Sequence, residues 1–220
     1  MKTSGVFEGS QKIRPRDYAQ HEDEIDRSVI IHPLLDYHRA KRQRTGAVWG
    51  DSLNKIVSDE KLFAIVKDLK QAGRRIVFTN GCFDLLHPGH ISYLKSARLL
   101  GDVLVVGVNS DRSVRALKGD RRPILNEDER CLLLSGLEAV SYVTLFREMT
   151  PIRLIQGILP DVLVKGGDWG VEEIVGKGEV EANGGQVISL PYETGQSTSG
   201  IIERILRKYA RDASPSNVRS

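Results

Sequence analysis

Cysteine is scarce in this chain: Cys82 and Cys131 are the two in 220 residues. They lie far apart and form no metal-ligand pair, so they read as free, wholly or partly buried thiols rather than a disulfide. A reducing compartment fits, and a cytoplasmic location is expected. Long apolar runs are missing too, and no window approaches the roughly 20 residues of a membrane-spanning helix. Met1–Ser10 lacks the apolar core of a secretory signal. Neither sign of charge dominates. The 32 basic and 29 acidic residues leave a formal net charge of +3, which makes no case for nucleic acid or membrane as partner. Three phosphate and nucleophile motifs are also absent. There is no Gly-x-x-x-x-Gly-Lys-Ser/Thr loop, no Gly-x-Gly-x-x-Gly after a strand and no Gly-x-Ser-x-Gly elbow, which argues against P-loop, dinucleotide-dehydrogenase and hydrolase chemistry.

What is present is a soluble, core-forming composition, 40% hydrophobic and 28% charged. Residues 1–57 mix acidic and basic clusters (Glu22-Asp23-Glu24, Lys41-Arg42-Gln43-Arg44) with few periodic apolar positions, and read as a partly ordered extension and linker. Val29-Ile30-Ile31 could form one docking strand, and the Lys41–Arg44 cluster fits a solvated face better than a polymer contact. From residue 58 to about 212 a single domain is expected, followed by a disordered tail over 213–220. Ser58 caps a helix whose stripe is Leu62, Ile65, Val66 and Leu69 and which Gly73 stops. Strands at 75–79, 103–108, 142–146, 162–165 and 186–190 then alternate with helices over 88–100, around 113–117, after Asn126, from Thr150-Pro151 and over 197–209. Asn126 with Glu129 three residues on has capping-box spacing. Val103-Leu104-Val105-Val106 is apolar on both faces, so helices cover both sides of the sheet. The alternation predicts a doubly wound α/β domain with a mainly parallel sheet, whose ligand sits beyond the carboxyl ends of the strands.

The residues with chemical potential gather at those ends. Thr79-Asn80-Gly81-Cys82-Phe83-Asp84-Leu85-Leu86-His87-Pro88-Gly89-His90 links the strand Ile76-Val77-Phe78 to a helix. A helix start offers free N–H groups and a positive dipole end to an anion. Gly89 lets a phosphate approach the backbone, and His87 and His90 add donors that can follow developing charge. The junction suits a nucleoside triphosphate. Asp84 could orient a histidine or anchor the turn. Asp111, in Asn109-Ser110-Asp111, could accept substrate hydroxyls or cap its helix. Lys118, Arg121 and Arg122 surround Gly119, with Arg130 on the next helix, and this cation set suits a triphosphate and a leaving pyrophosphate. Lys165 ends a strand before Gly166-Gly167-Asp168-Trp169, where two glycines leave room for a ligand or simply make a turn. Gln196-Ser197-Thr198-Ser199-Gly200 opens the last helix as a second anion-binding start, or with Ser197 as an ordinary cap.

In the segments FTNGCFDLLHPGH, VVGVNSD, LKGDRRP, PDVLVKGGD and GQSTSGIIERI the chain resembles the His-x-Gly-His nucleotidyltransferases, the cytidylyltransferase-like group. Within that group it is most similar to the adenylyltransferase domains of bacterial ADP-heptose synthases. The resemblance runs from about Ile56 to Arg207 and implies a Rossmann-like fold, a cytoplasmic enzyme and often a homodimer. It also implies that AMP passes from ATP to D-glycero-β-D-manno-heptose 1-phosphate, with magnesium held mainly through the ATP phosphates. Carried over by position, His87, His90 and Lys118 would be catalytic. Thr79, Asn80, Gly81, Phe83, Gly89, Arg122, Lys165, Gly166, Ser197 and Thr198 would hold the nucleotide. Asp84, Asp111 and Asp168 would face the sugar phosphate, and no protein metal ligand is expected. Cytidylyltransferases of the group tend to carry an arginine just before the Ser-Thr run, and Tyr192-Glu193-Thr194-Gly195-Gln196 has none, which favours ATP over CTP. Ser199 replaces the usual second threonine. The first 57 residues are too few for the sugar-kinase domain that often precedes this one. The competing readings are a cytidylyltransferase acting on glycerol 3-phosphate or a phospho-amino-alcohol, and a nucleotide-binding regulator without turnover.

Overall fold

The structure is a computed structural model that describes residues 54–167, 170–191 and 197–209. In chain order its elements are α1 (Asp59–Gln71), β1 (Ile76–Gly81), α2 (Pro88–Arg98), β2 (Val103–Asn109), α3 (Asp111–Lys118), α4 (Glu127–Ser135), β3 (Tyr142–Phe146), α5 (Ile152–Ile158), β4 (Val162–Gly166), a 3₁₀ turn (Val171–Glu173), α6 (Lys177–Ala182), β5 (Gln186–Leu190) and α7 (Thr198–Tyr209). The five strands form one parallel sheet in the order β3-β2-β1-β4-β5. This is the Rossmann-like doubly wound α/β class.

Strand period places alternate residues on opposite faces. Ile76, Phe78, Val103 and Val105 meet Leu62 and Val66 of α1 and Leu154, Ile155 and Ile158 of α5 on one side. Val77, Leu104 and Val106 meet Tyr93, Leu94 and Ala97 of α2 and Cys131 and Leu134 of α4 on the other. The helix starts follow sequence rules. Ser58 accepts from the Lys61 amide, and Asn126 and Glu129 form a reciprocal capping box. Pro151 is the residue before α5 rather than its first turn.

Two features had no sequence forecast. The 3₁₀ turn and the six-residue α6 follow Gly167 and start beside Gly176, at φ +90°, so no periodic stretch announces them. Residues 55–57 cover the outer edge of β3: Ile56 bridges Val143 in parallel, Val57 N donates to Val143 O (3.0 Å), and Val143 N donates to Lys55 O (2.8 Å). Val57 is buried with the α1 and α5 core. A chain starting at residue 58 is therefore expected to be less stable than one starting at residue 54 by about 2 kcal/mol for the lost valine burial. Equal stability of the two in urea titration would refute this role.

Because β2 and β3 lie on one side of β1 while β4 and β5 lie on the other, the chain reverses direction between β1 and β4. In open α/β sheets that switch point is where a crevice opens for ligands. Asn80–Gly81 and Lys165–Gly166 are the residues ending those two strands.

Candidate active site

The β1–α2 turn begins with backbone in an uncommon conformation. Phe83 and Leu85 sit at φ 50° and 52°, in the left-handed region that costs a residue with a side chain roughly 1–2 kcal/mol. They flank Asp84, which is almost completely buried. Its carboxylate accepts from Arg122 Nε (2.6 Å), Ile124 N (2.9 Å) and Leu125 N (3.0 Å). Its carbonyl accepts from the Thr198 hydroxyl (2.6 Å). Asp84 thus binds the 119–125 loop and the start of α7 to the turn, in the anchoring role that its sequence position allowed. Gly81 precedes the turn because a Cβ there would sit 3.2 Å from the Phe83 ring.

His87 is the residue before α2, with extended backbone (φ −137°, ψ 168°) and no side-chain cap, and Pro88 opens the helix. The His87 and His90 rings stack with centroids 3.8 Å apart and 28° between planes, and Phe83 tilts against His90 at 5.5 Å. Burial lowers the pKa of both. His90, which also feels His87, is held down to about 4, only partly offset by Asp84. Both rings are therefore neutral near pH 7. The Nδ1 atoms of both histidines are buried and have no hydrogen-bond partner among the described residues. Buried polar atoms are normally paired, so two orphans at a helix start mark a place where a ligand completes the site.

Cations surround this turn. Lys118 ends α3 and is exposed, Arg121 is exposed, and Arg122 is fixed through Nε by Asp84. Lys165 Nζ reaches across the switch point to Asn80 Oδ1 (3.0 Å) and Asn80 O (3.4 Å), and burial lowers its pKa. Its partners are neutral, so its charge remains available to an anion. Burial raises the Cys82 thiol against the pull of Lys118, Arg130, Arg122 and Lys165, which places all four cations around that residue.

Several residues singled out in the sequence turn out to be engaged within the protein. The buried Thr79 hydroxyl pairs with the Tyr93 hydroxyl at 2.6 Å. Asp111 accepts from Arg130 Nη2 (2.7 Å), leaving its carboxylate partly exposed. Ser197 accepts from Gly200 N, a cap for α7. Gly89 and Gly166 are buried at the helix start and the β4 end. Asp168 and Trp169, and the run Tyr192–Gln196, lie outside the described residues.

Arg130 overturns its sequence reading. Its position groups it with the phosphate-facing cations, yet it is fully buried. Its donors go to Leu125 O (3.1 Å), Cys82 O (2.6 Å), Asn109 O (2.7 Å) and Asp111 Oδ1 (2.7 Å). The signal was available, since Arg130 shares the inward face of α4 with Leu134, four residues on. Tyr93 also went unnoticed. It lies one helical turn past His90, and its hydroxyl ties α2 to β1 and, at 3.3 Å, to Val164 O of β4.

The switch point of the parallel sheet thus carries a paired-histidine helix start amid cations. Residues 78–204 match the model of the cytidylyltransferase-like family, and the chain belongs to that family. Over 159 residues it is 52% identical to the bifunctional protein HldE of Trichlorobacter lovleyi, covering 72% of this chain and 32% of that protein. Over 150 residues it is 55% identical to the bifunctional protein HldE of Haemophilus ducreyi, covering 68% and 32%. The chain spans about a third of the length of these relatives. A crystal structure of the lipopolysaccharide core biosynthesis protein from Thermoplasma volcanium GSS1 is 31% identical, covering 56% of this chain and all of that one, with a TM-score of 0.47.

Proposed function

We propose that the protein transfers AMP from ATP to a sugar 1-phosphate, D-glycero-β-D-manno-heptose 1-phosphate, giving an ADP-sugar and pyrophosphate. The observation that carries this reading is the stacked, neutral His87–His90 pair at the start of α2, each with an Nδ1 that has no partner among the described residues. Identity of about half to the HldE proteins supports the choice of ATP and heptose. A phosphate oxygen of the sugar 1-phosphate attacks the α-phosphorus of ATP in line, the bond from that phosphorus to the bridging oxygen breaks, and pyrophosphate leaves. No protein nucleophile is needed, so positioning and charge stabilisation supply the rate.

In this scheme His87 and His90 donate to the triphosphate as charge develops, while Lys118, Arg122 and Lys165 hold its oxygens. The Asn80–Phe83 backbone, Gly89, Gly166 and the Ser197–Thr198 helix start line the nucleotide. Asp111 faces the sugar phosphate, and Asp84 sets the turn; Asp168, assigned to the sugar phosphate by the resemblance, lies outside the described residues. Magnesium would accompany the triphosphate and offset its charge. Among the described residues no three His, Cys, Asp or Glu side chains gather into a cage for it. A cytoplasmic location suits an ATP-using enzyme, and no described helix is long and apolar enough to cross a membrane.

The test crosses ATP and CTP with heptose 1-phosphate and glycerol 3-phosphate under pyrophosphate detection. ATP with heptose 1-phosphate is expected to give the highest kcat/KM. Preference for CTP with glycerol 3-phosphate would overturn the assignment, and nucleotide binding without turnover on any acceptor would point to a regulator instead.

A further inference from the structure

Arg130 is the largest completely buried side chain among the described residues, and the proposed chemistry does not use it. A guanidinium in a core is a weak stabiliser, because desolvation offsets much of what its partners return. Its geometry explains its presence better. The four hydrogen bonds divide among three segments, all at the ligand end of the sheet: Cys82 in the β1–α2 turn, Asn109 and Asp111 where β2 passes into α3, and Leu125 at the end of the loop bearing Arg122. Leu125 is held twice, by Arg130 at its carbonyl and by Asp84 at its amide. One carboxylate, from Asp111, balances the charge of the guanidinium, and the other three acceptors are neutral backbone carbonyls.

We propose that Arg130 is a positioning residue for nucleotidyl transfer, tying the β1–α2 turn, the β2–α3 junction and the Arg122 loop into one cradle around the triphosphate. The proposal rests on the nucleotidyltransferase reading of the site. A planar fork with five donors can reach four acceptors on three segments at fixed angles. An ammonium, a point charge with three donors, cannot. Displacement of a catalytic group by about 1 Å costs on the order of 100-fold in rate.

The test is Arg130→Lys in the full chain, with melting temperature, kcat, KM for ATP and amide exchange at Ile124 and Leu125 as readouts. In the folded variant kcat is expected to fall roughly 100-fold with KM changed far less, and both amides to exchange faster, with no rescue by the lysine charge. Unchanged kcat or unchanged exchange in a folded variant overturns the proposal, since a purely structural role would lower only the melting temperature. If the wild-type protein turns over no nucleotide–acceptor pair, that counts against the functional reading, and exchange alone decides the cradle. If the variant does not fold, wild-type protein is titrated with α,β-methylene-ATP while the Arg130 Nη–H resonances are followed. A shift supports the cradle, and unmoved resonances overturn it.

Discussion

Alanine at His90 or at His87 is expected to lower kcat by about 10²–10³-fold, the usual cost of losing one donor aimed at transition-state charge. Affinity for α,β-methylene-ATP is expected to change far less, because such donors act mainly once charge has moved. The structure gives the expectation its form. Stacking at 3.8 Å sets the two rings side by side at a helix start, and burial keeps them neutral, with His90 held down to about 4. Each ring thus arrives as a neutral donor, its Nδ1 unpaired among the described residues, rather than as a fixed cation. Single-turnover kinetics beside calorimetric titration separates the two effects. Near-normal turnover in either variant would remove that histidine from the mechanism.

Asp84→Ala is expected to destabilise the protein by about 3–5 kcal/mol, the range for breaking a buried ion pair from one side. The Asp84 side chain is wholly buried and Arg122 is 16% exposed, so the stranded guanidinium has little access to water. The amides of Ile124 and Leu125 lose their acceptor in the same step. Because Asp84 orients Arg122, turnover of the folded fraction should fall too, whereas a group that only touched the sugar would shift KM for the acceptor and leave stability alone. Urea unfolding of the full chain measures the first effect. A loss below about 1 kcal/mol would show that the loop is held by something else.

The helix start at the β1–α2 junction was legible because its information is local. A strand, a glycine, a proline at the first helical position and two histidines three apart fix a helix start whatever else the chain does, and the structure has α2 opening at Pro88. Capping signals at Ser58 and Asn126 were equally local and hold. What misled was charge. Lys118, Arg122 and Arg130 look alike in a sequence, but the first is exposed, the second fixed by a carboxylate 38 residues away, and the third buried among the ends of three segments. Nothing within a few residues of Arg130 names Cys82 or Asn109 as its partner.

By itself, then, the sequence determined the alternation of strand and helix, the two-faced burial that makes the sheet doubly wound, and the helix start at His87. Each is set by periodicity or by neighbours within a turn of chain. The tertiary structure alone decided the strand order with its switch point between β1 and β4, the pairing of residues 55–57 on the edge of β3, the reach of Lys165 to Asn80, and the use of Asp84 and Arg130 as inward ties. These depend on which distant segments meet and which polar groups are cut off from water when they do. A buried carboxylate or guanidinium must then take whatever partners the packing brings, and that choice has no periodicity to read.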